Sequence, residues 1–290
     1  MRHVEDTFEG DGGRQIYWQA WLPDDDAKVK AKLVVLHGGG EHGGRYRRLA
    51  ERLVPGGWAV YAMDHQGHGR SEGKRGWLVS LKSTLADIDA FVDIVTAEEP
   101  AGKPLMFGHS VGGCLGTAYA MEKQEKVEVL ALSQPLASRA AASLSTRIFG
   151  PIVARVAPGL KVLGVDSSGI SRDPTEVEVY DSDPLNYHDK FPARTLTELA
   201  KAIDSFADGS RRLTLPLLVM LGTADRIAPN AGGHLIYEGA SSTDKTLKVY
   251  EGFFHELVNE PEADRNRVSD DLLEWLNAHA PARTTAPLAP

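Results

Sequence analysis

Six short apolar runs, each stopped by Gly, Asp, Ser or Pro, constrain this chain more than any other feature. They are KLVVLHG (Lys32 to Gly38), WAVYAMD (Trp58 to Asp64), PLMFGHS (Pro104 to Ser110), VEVLALSQP (Val127 to Pro135), LPLLVMLG (Leu215 to Gly222) and KTLKVYEG (Lys245 to Gly252). Their residues are apolar almost without interruption rather than alternately, the pattern of parallel strands covered on both faces. Helical patterns separate them, among them LKSTLADIDAFVDIVTAEE (Leu81 to Glu99) and PEADRNRVSDDLLEWLNAHA (Pro261 to Ala280). The second opens on a proline expected at N1, with acids in its first turn. Strands alternating with helices predict a doubly wound, mostly parallel α/β sheet. Ahead of it, VEDTFEGDGGRQIYWQAWLP alternates around a Gly-Gly turn and predicts an antiparallel hairpin at one edge.

The rhythm breaks between Leu136 and Arg212, where short helical pieces are punctuated by Pro and Gly. That stretch reads as an insertion over the carboxyl ends of the strands, where open α/β sheets bind ligands. The expected organisation is a core of residues 1–135 and 213–280, a helical cap over 136–212, and a disordered tail over 281–290. At 290 residues and 42% hydrophobic content the chain can supply one large core with such an insertion.

Charge and composition narrow the function. A net charge of -8 demotes nucleic-acid binding, which needs a basic surplus. The single cysteine, Cys114, cannot form an internal disulfide, and its position predicts a small buried residue rather than a reactive thiol. The first fifteen residues lack the apolar stretch of a signal peptide. No apolar run approaches the roughly 20 residues of a membrane helix. The expectation is a soluble cytoplasmic protein.

Within the third run, Gly108-His109-Ser110-Val111-Gly112 fits G-x-S-x-G, and the helical GGCLGTAYAMEKQ follows it. Strand, tight turn and helix are the context of a nucleophile elbow. The turn brings residues two before and two after the serine together, so a Cβ at Gly108 or Gly112 would clash. A serine hydroxyl needs a base beside it. Of ten histidines, His255 lies on the loop directly after the last predicted strand, in YEGFFHELVNEPE, where this class of site places its base. His279 reads as surface near the end of a helix, and His234 as packing or surface. Asp225, in LLVMLGTADRIAP, follows the preceding strand and is placed to hold the imidazole in its basic tautomer. The end of the earlier strand, LSQP, offers no rival carboxylate. Oxyanion donors are expected at the N–H of Val111 and in the loop HGGGEHGGRY, at Gly39 or alternatively Gly40. His37, His42, His65 and His68 match no metal-ligand spacing and read as loop hydrogen-bonders. No metal or organic cofactor is implied.

With these residues placed, the chain resembles the monoacylglycerol lipases of the α/β-hydrolase superfamily. The resemblance rests on HGGGEHGGRY, DHQGHGRS followed by EGKR, GHSVGG, and the later stretches VDSSGISRDPTEVEVYDSDPL, GTADRIAP and DKTLKVYEGFFHEL. It implies an α/β-hydrolase fold and a serine esterase with Ser110 as nucleophile, Asp225 as acid and His255 as base. Gly39 and Val111 would supply the oxyanion hole. It further implies that Glu41, Arg45, His109 and Tyr180 border the polar end where the substrate's glycerol lies, although Glu41 and Arg45 equally suit a pair that braces their loop. Val111 and Phe254 stand where the family commonly has Met and Tyr, which changes the pocket wall. The implied substrate is monoacylglycerol or a similar single-chain ester. A lysophospholipase or broad carboxylesterase is the alternative within enzymes, and a ligand-binding pseudoenzyme the alternative outside them.

Val129 to Val165 contains no Asp or Glu but holds Arg139, Arg147, Arg155 and Lys161. Ile148, Phe149, Ile152, Val153 and Val156 fall beside these at helical spacing, interrupted by Gly150-Pro151. This basic, amphipathic run suits either peripheral contact with a lipid surface or an ordinary cap helix with its arginines in water.

Overall fold

A computed structural model of the chain describes residues 1–24, 29–98, 102–139 and 152–281. Its centre is an eight-stranded sheet. Strand β1 (Arg2–Glu9) pairs antiparallel with β2 (Gln15–Leu22), forming the expected edge hairpin, and β2 runs antiparallel to β4 (Trp58–Met63). The remaining strands are parallel: β3 (Ala31–Leu36), β5 (Leu105–His109), β6 (Leu130–Ser133), β9 (Leu217–Gly222) and β10 (Lys245–Tyr250). Their order is β1-β2-β4-β3-β5-β6-β9-β10. A small ribbon of β7 (Lys161–Leu163) and β8 (Phe191–Pro192) stands apart from the sheet.

The unbroken apolar character of the strands has a direct cause. Along β3, Val34 and Leu36 enter a core on one face while Leu33 and Val35 enter a core on the other. Helices α1 (Arg47–Leu53) and α7 (Glu262–His279) cover the second face through residues such as Leu49, Leu53, Leu272 and Leu276. Helices α2 (Leu81–Ala97) and α3 (Val111–Lys123) cover the first through Ile88, Phe91, Leu115 and Tyr119. Pro261 sits one residue ahead of α7 rather than at its first turn, and the expected acids, Glu262 and Asp264, do occupy that turn. Ser80 caps α2 by accepting a hydrogen bond from the Ser83 N–H.

Between β6 and β9 lie a helical turn at 152–156, β7, α4 (Pro174–Ser182), β8 and α5 (Ala193–Gly209). The last of these is strongly amphipathic. Its Leu199, Ala202 and Phe206 pack into the same core as α2, α3 and α6 (Ala231–Gly239), so the inserted stretch ends in a helix that also helps cover the sheet. Arg147, Ile148 and Phe149 of the basic run, and residues 282–290 of the expected tail, lie outside the described residues.

Candidate active site

Ser110 follows the last residue of β5 and is the N-cap residue of α3, with a backbone conformation of φ 52°, ψ -115°. Left-handed φ is costly for a residue with a Cβ and persists only where the surroundings enforce it. The enforcement is steric. A Cβ on Gly108 would stand 2.6 Å from the Gly112 carbonyl oxygen, and one on Gly112 would drive into the backbone carbonyls of Leu36 and His37. The two glycines therefore let the elbow close against the end of β3 as well as upon itself. Val111 opens the helix, so its N–H is among those with no partner inside the helix.

Asp225 and His255 come together from loops after β9 and β10. His255 Nδ1 donates to Asp225 Oδ2 at 2.7 Å, leaving Nε2 as the nitrogen available to a nucleophile. Asp225 is fixed further: its Oδ1 accepts from the N–H groups of Ile227 (2.7 Å) and Ala228 (3.1 Å), and its Oδ2 from Gln134 Nε2 (2.7 Å). Its side chain is 0% exposed. His109, immediately before the serine, stacks obliquely on His255 with ring centres 4.7 Å apart and donates Nδ1–H to the Ser133 carbonyl. Burial, and then the neighbouring His255, hold His109 down at about 4, so its ring is neutral at ordinary pH.

The loop after β3 passes beside the serine. A Cβ on Gly38 would stand 3.2 Å from that of Ser110, and one on Gly39 would stand 2.9 Å from Val111 Cγ2. Gly39 and Val111 are thus in contact, and glycine keeps the space between them open. Gly40 takes φ 83° and faces the hydroxyl of Tyr180 and the ring of Phe191. Its carbonyl accepts from the Tyr187 N–H at 2.8 Å.

Glu41 and Arg45 are turned inward. Glu41 Oε1 accepts from the Gly38 N–H (2.6 Å) and from Tyr46 Oη (2.8 Å), while its Oε2 accepts from Arg45 Nη1 (2.7 Å). Arg45 also makes a two-pronged pair with Glu256 at 2.7 Å on each oxygen, beneath the ring of Tyr180. Burial alone opposes both charges. Their mutual attraction outweighs it, holding Arg45 well above its usual range and Glu256 down to about 2. The pair therefore ties the loop after β3 to the His255 loop, a contact of the internal kind that the sequence allowed beside a substrate contact. Glu256 was not singled out from the sequence, although it adjoins His255; its partner lies 211 residues away.

The remaining histidines of the loops are structural neighbours of this centre. His37, His65 and His68 form a buried cluster, with ring centres 4.2 Å and 5.5 Å from that of His37. His37 accepts the His65 N–H at Nε2 and donates Nδ1–H to the Gly38 carbonyl, which ties the end of β3 to the end of β4 where the glycine-rich loop begins. His42 donates Nε2–H to Asp183, past the end of α4, at 2.9 Å. Asp64, also missed from sequence, accepts the N–H groups of Gly43 (2.7 Å) and Arg70 (2.8 Å) and orders both loops. His234 is half-buried on α6, and His279 pairs with Asp244. Burial pushes the Cys114 thiol up to about 12, away from reactivity. Phe254 lies under the Arg226 guanidinium beside an open hollow of about 420 Å³ bordered by Ser168, Arg172 and Val177. Among the described residues no group of three or more His, Cys, Asp or Glu is arranged to hold a metal ion.

The family described as Serine aminopeptidase, S33 matches residues 27–262. A monoacylglycerol lipase of Mycolicibacterium smegmatis is 37% identical over 95% of this chain and 97% of its own length. The monoglyceride lipase of Homo sapiens is 34% identical over 94% of this chain and 90% of its own. The crystal structure of the Paleococcus ferrophilus monoacylglycerol lipase superposes with a TM-score of 0.80 at 30% identity, covering 96% of this chain and all of that one. Its fold is the α/β-hydrolase fold, as the sequence predicted.

Proposed function

The chain belongs to the monoacylglycerol lipase family of α/β-hydrolases, and from that premise we propose that it cleaves monoacylglycerol to fatty acid and glycerol through an acyl-enzyme on Ser110. The observation that carries this reading is the buried Asp225–His255 pair, stacked on His109 directly before a serine held at positive φ at a helix N-terminus. Asp225 keeps the proton of the neutral imidazole on Nδ1, so Nε2 is free to take the Ser110 proton as the hydroxyl attacks the ester carbonyl. The oxyanion forms between the amides of Gly39 and Val111, which are prealigned at no cost at the moment of reaction. His255 then returns its proton to the departing glycerol, and a water activated by the same base releases the fatty acid.

The polar end of the site is built from Glu41, Arg45, His109 and Tyr180. Glu41 and Arg45 act through the loop they brace, and the neutral His109 and the Tyr180 hydroxyl are the groups offered to glycerol. A neutral, hydrogen-bonding head pocket suits glycerol better than a charged phosphocholine. Hydrolysis of a panel of monoacylglycerols of graded chain length, beside di- and triacylglycerols and lysophospholipids, tests the substrate. Preference for lysophospholipid overturns the substrate and leaves the mechanism. Full activity in Ser110→Ala overturns both.

The cap, residues 136–212, delivers the substrate. Ser110 is 7% exposed and His255 4%, so the proposed nucleophile and base both lie below the surface. The outer part of the cap shows apolar side chains to solvent: Ile152, Val156, Leu160 and Leu163 are each more than half exposed. Arg155 lies among them, and Lys161 is paired with Asp189. Such a surface suits peripheral docking on anionic lipid. No helix among the described residues is long and apolar enough to cross a membrane. Sedimentation with phosphatidylglycerol-containing vesicles tests the docking: Val156→Asp with Arg155→Glu is expected to abolish binding, and unchanged binding removes the idea.

A further inference from the structure

Two non-glycine residues among the described ones have positive φ: Ser110 at 52° and Gln134 at 45°. The first is the nucleophile of the proposed reaction. The second stands at the end of β6, where the sequence LSQP offers no carboxylate. Gln134 is 1% exposed. Its Nε2 donates to Asp225 Oδ2 at 2.7 Å and to the Gly222 carbonyl at 3.2 Å. Both partners are acceptors, so the amide cannot be turned over without setting oxygen against oxygen. Its Oε1 is buried with no hydrogen-bond partner. Position 134 thus carries two unfavourable features, a strained backbone and an unsatisfied acceptor, where an apolar residue or a glycine would avoid one or both. What it gains is one hydrogen bond to the oxygen that also receives the His255 proton.

We propose that Gln134 is a positioning residue for the acid–base pair, setting both the orientation and the hydrogen-bonding strength of the Asp225 carboxylate. The inference rests on Asp225 and His255 acting as acid and base. A neutral donor on Oδ2 stabilises the carboxylate anion without adding charge. It also shares the lone pairs that would otherwise all serve His255, and so restrains the stabilisation of the imidazolium. Without that donor the carboxylate holds the His255 proton more strongly, and a higher pH is needed to leave the base free. The Gly222 carbonyl takes the second amide hydrogen, and the Gln134 N–H donates to the Met220 carbonyl at 2.9 Å. The side chain therefore joins the ends of β6 and β9 at the point where the acid leaves the sheet.

Two variants separate the hydrogen bond from the strain. Gln134→Met keeps length and removes the donor; Gln134→Gly removes the donor and relieves the backbone. In both, kcat is expected to fall about tenfold with KM within about twofold, because a carboxylate no longer anchored by the amide holds the imidazole less well in line with Ser110. The acid limb of the kcat/KM profile, which reports the free base, is expected to move up by about half a pH unit. An acid limb that stays in place in either folded variant overturns the role, because a merely structural contribution changes amplitude and stability but not the position of that limb. Should the Met variant not fold, the Gly variant decides. Asp225→Asn in parallel separates the two levels: if it retains activity, the acid–base reading itself is wrong, whereas its loss beside an unshifted Gln134 variant disproves only the positioning role.

Discussion

Asp225→Asn puts the acid–base pair to its sharpest test. Asp225 accepts four hydrogen bonds, two at Oδ1 from backbone N–H groups and two at Oδ2 from Gln134 and His255. Asparagine keeps the shape and replaces one acceptor oxygen by a donor. Set at Oδ1, the new NH2 faces the Ile227 and Ala228 N–H groups, which cannot turn away. Set at Oδ2, it faces Gln134 and His255. The second arrangement is cheaper, because the imidazole can respond by moving its proton to Nε2. That tautomer points a proton at Ser110 where a lone pair is needed. Two charge-assisted bonds at Oδ2 are lost, each worth about 1.5–3 kcal/mol, so the barrier rises by about 3–6 kcal/mol. At about 1.4 kcal/mol per decade this is a loss of about two to four decades in kcat. The assay is continuous fatty-acid release from a dispersed medium-chain monoacylglycerol, with KM and thermal midpoint measured on the same preparation. A folded Asp225→Asn enzyme within tenfold of the parent kcat refutes the assignment.

Other expectations follow from the same contacts. Gly112→Ala forces a methyl group into the Leu36 and His37 carbonyls and should cost about 1–3 kcal/mol or more in urea denaturation. Gly116→Ala, four residues along the same helix with its nearest neighbours at 3.5 Å, should be neutral or stabilising by up to about 1 kcal/mol; equal effects at the two positions contradict the elbow packing. Arg45→Met leaves Glu41 and Glu256 as buried carboxylates without their cation and should destabilise by about 3–5 kcal/mol, read as a lower urea midpoint at pH 7. Stability should also fall as pH drops from about 6.5 towards 4. Burial holds His65 down to about 3 and His68 to about 4, so below their unfolded values the unfolded chain binds protons that the native one refuses. The contribution is fully present above the unfolded pKa and on the order of 3 kcal/mol is lost for His68 by pH 4; a flat stability profile across that window contradicts the buried neutral cluster.

Where sequence reasoning succeeded, the determinant was local. The six apolar runs became strands because their composition suits a doubly covered sheet, and the covering helices carry the apolar period that faces it. The elbow was readable because its sterics involve residues within a few positions of the serine. Chain order then pointed to one histidine and one aspartate at successive strand ends, and those two share a hydrogen bond in the fold. The bracing of that site was not readable in the same way. Glu256, Gln134, Asp64 and Asp183 are ordinary letters in loops, and each matters through a partner far along the chain. For Glu41 and Arg45 the spacing admitted both a ligand contact and an internal pair, and the third member of the internal arrangement, Glu256, comes from a loop 211 residues away from Arg45.

The sequence by itself therefore determined the sheet, the turn that presents Ser110, and the strand ends from which Asp225 and His255 follow it, because periodicity and close steric fit are properties of neighbouring residues. Only the tertiary structure decided how each group is held. Hydrogen-bond partners, the burial that keeps His109, His65 and His68 neutral, and the approach of Tyr180 and Phe191 to Gly40 depend on where distant strand ends meet in space. That convergence leaves no local mark in the chain.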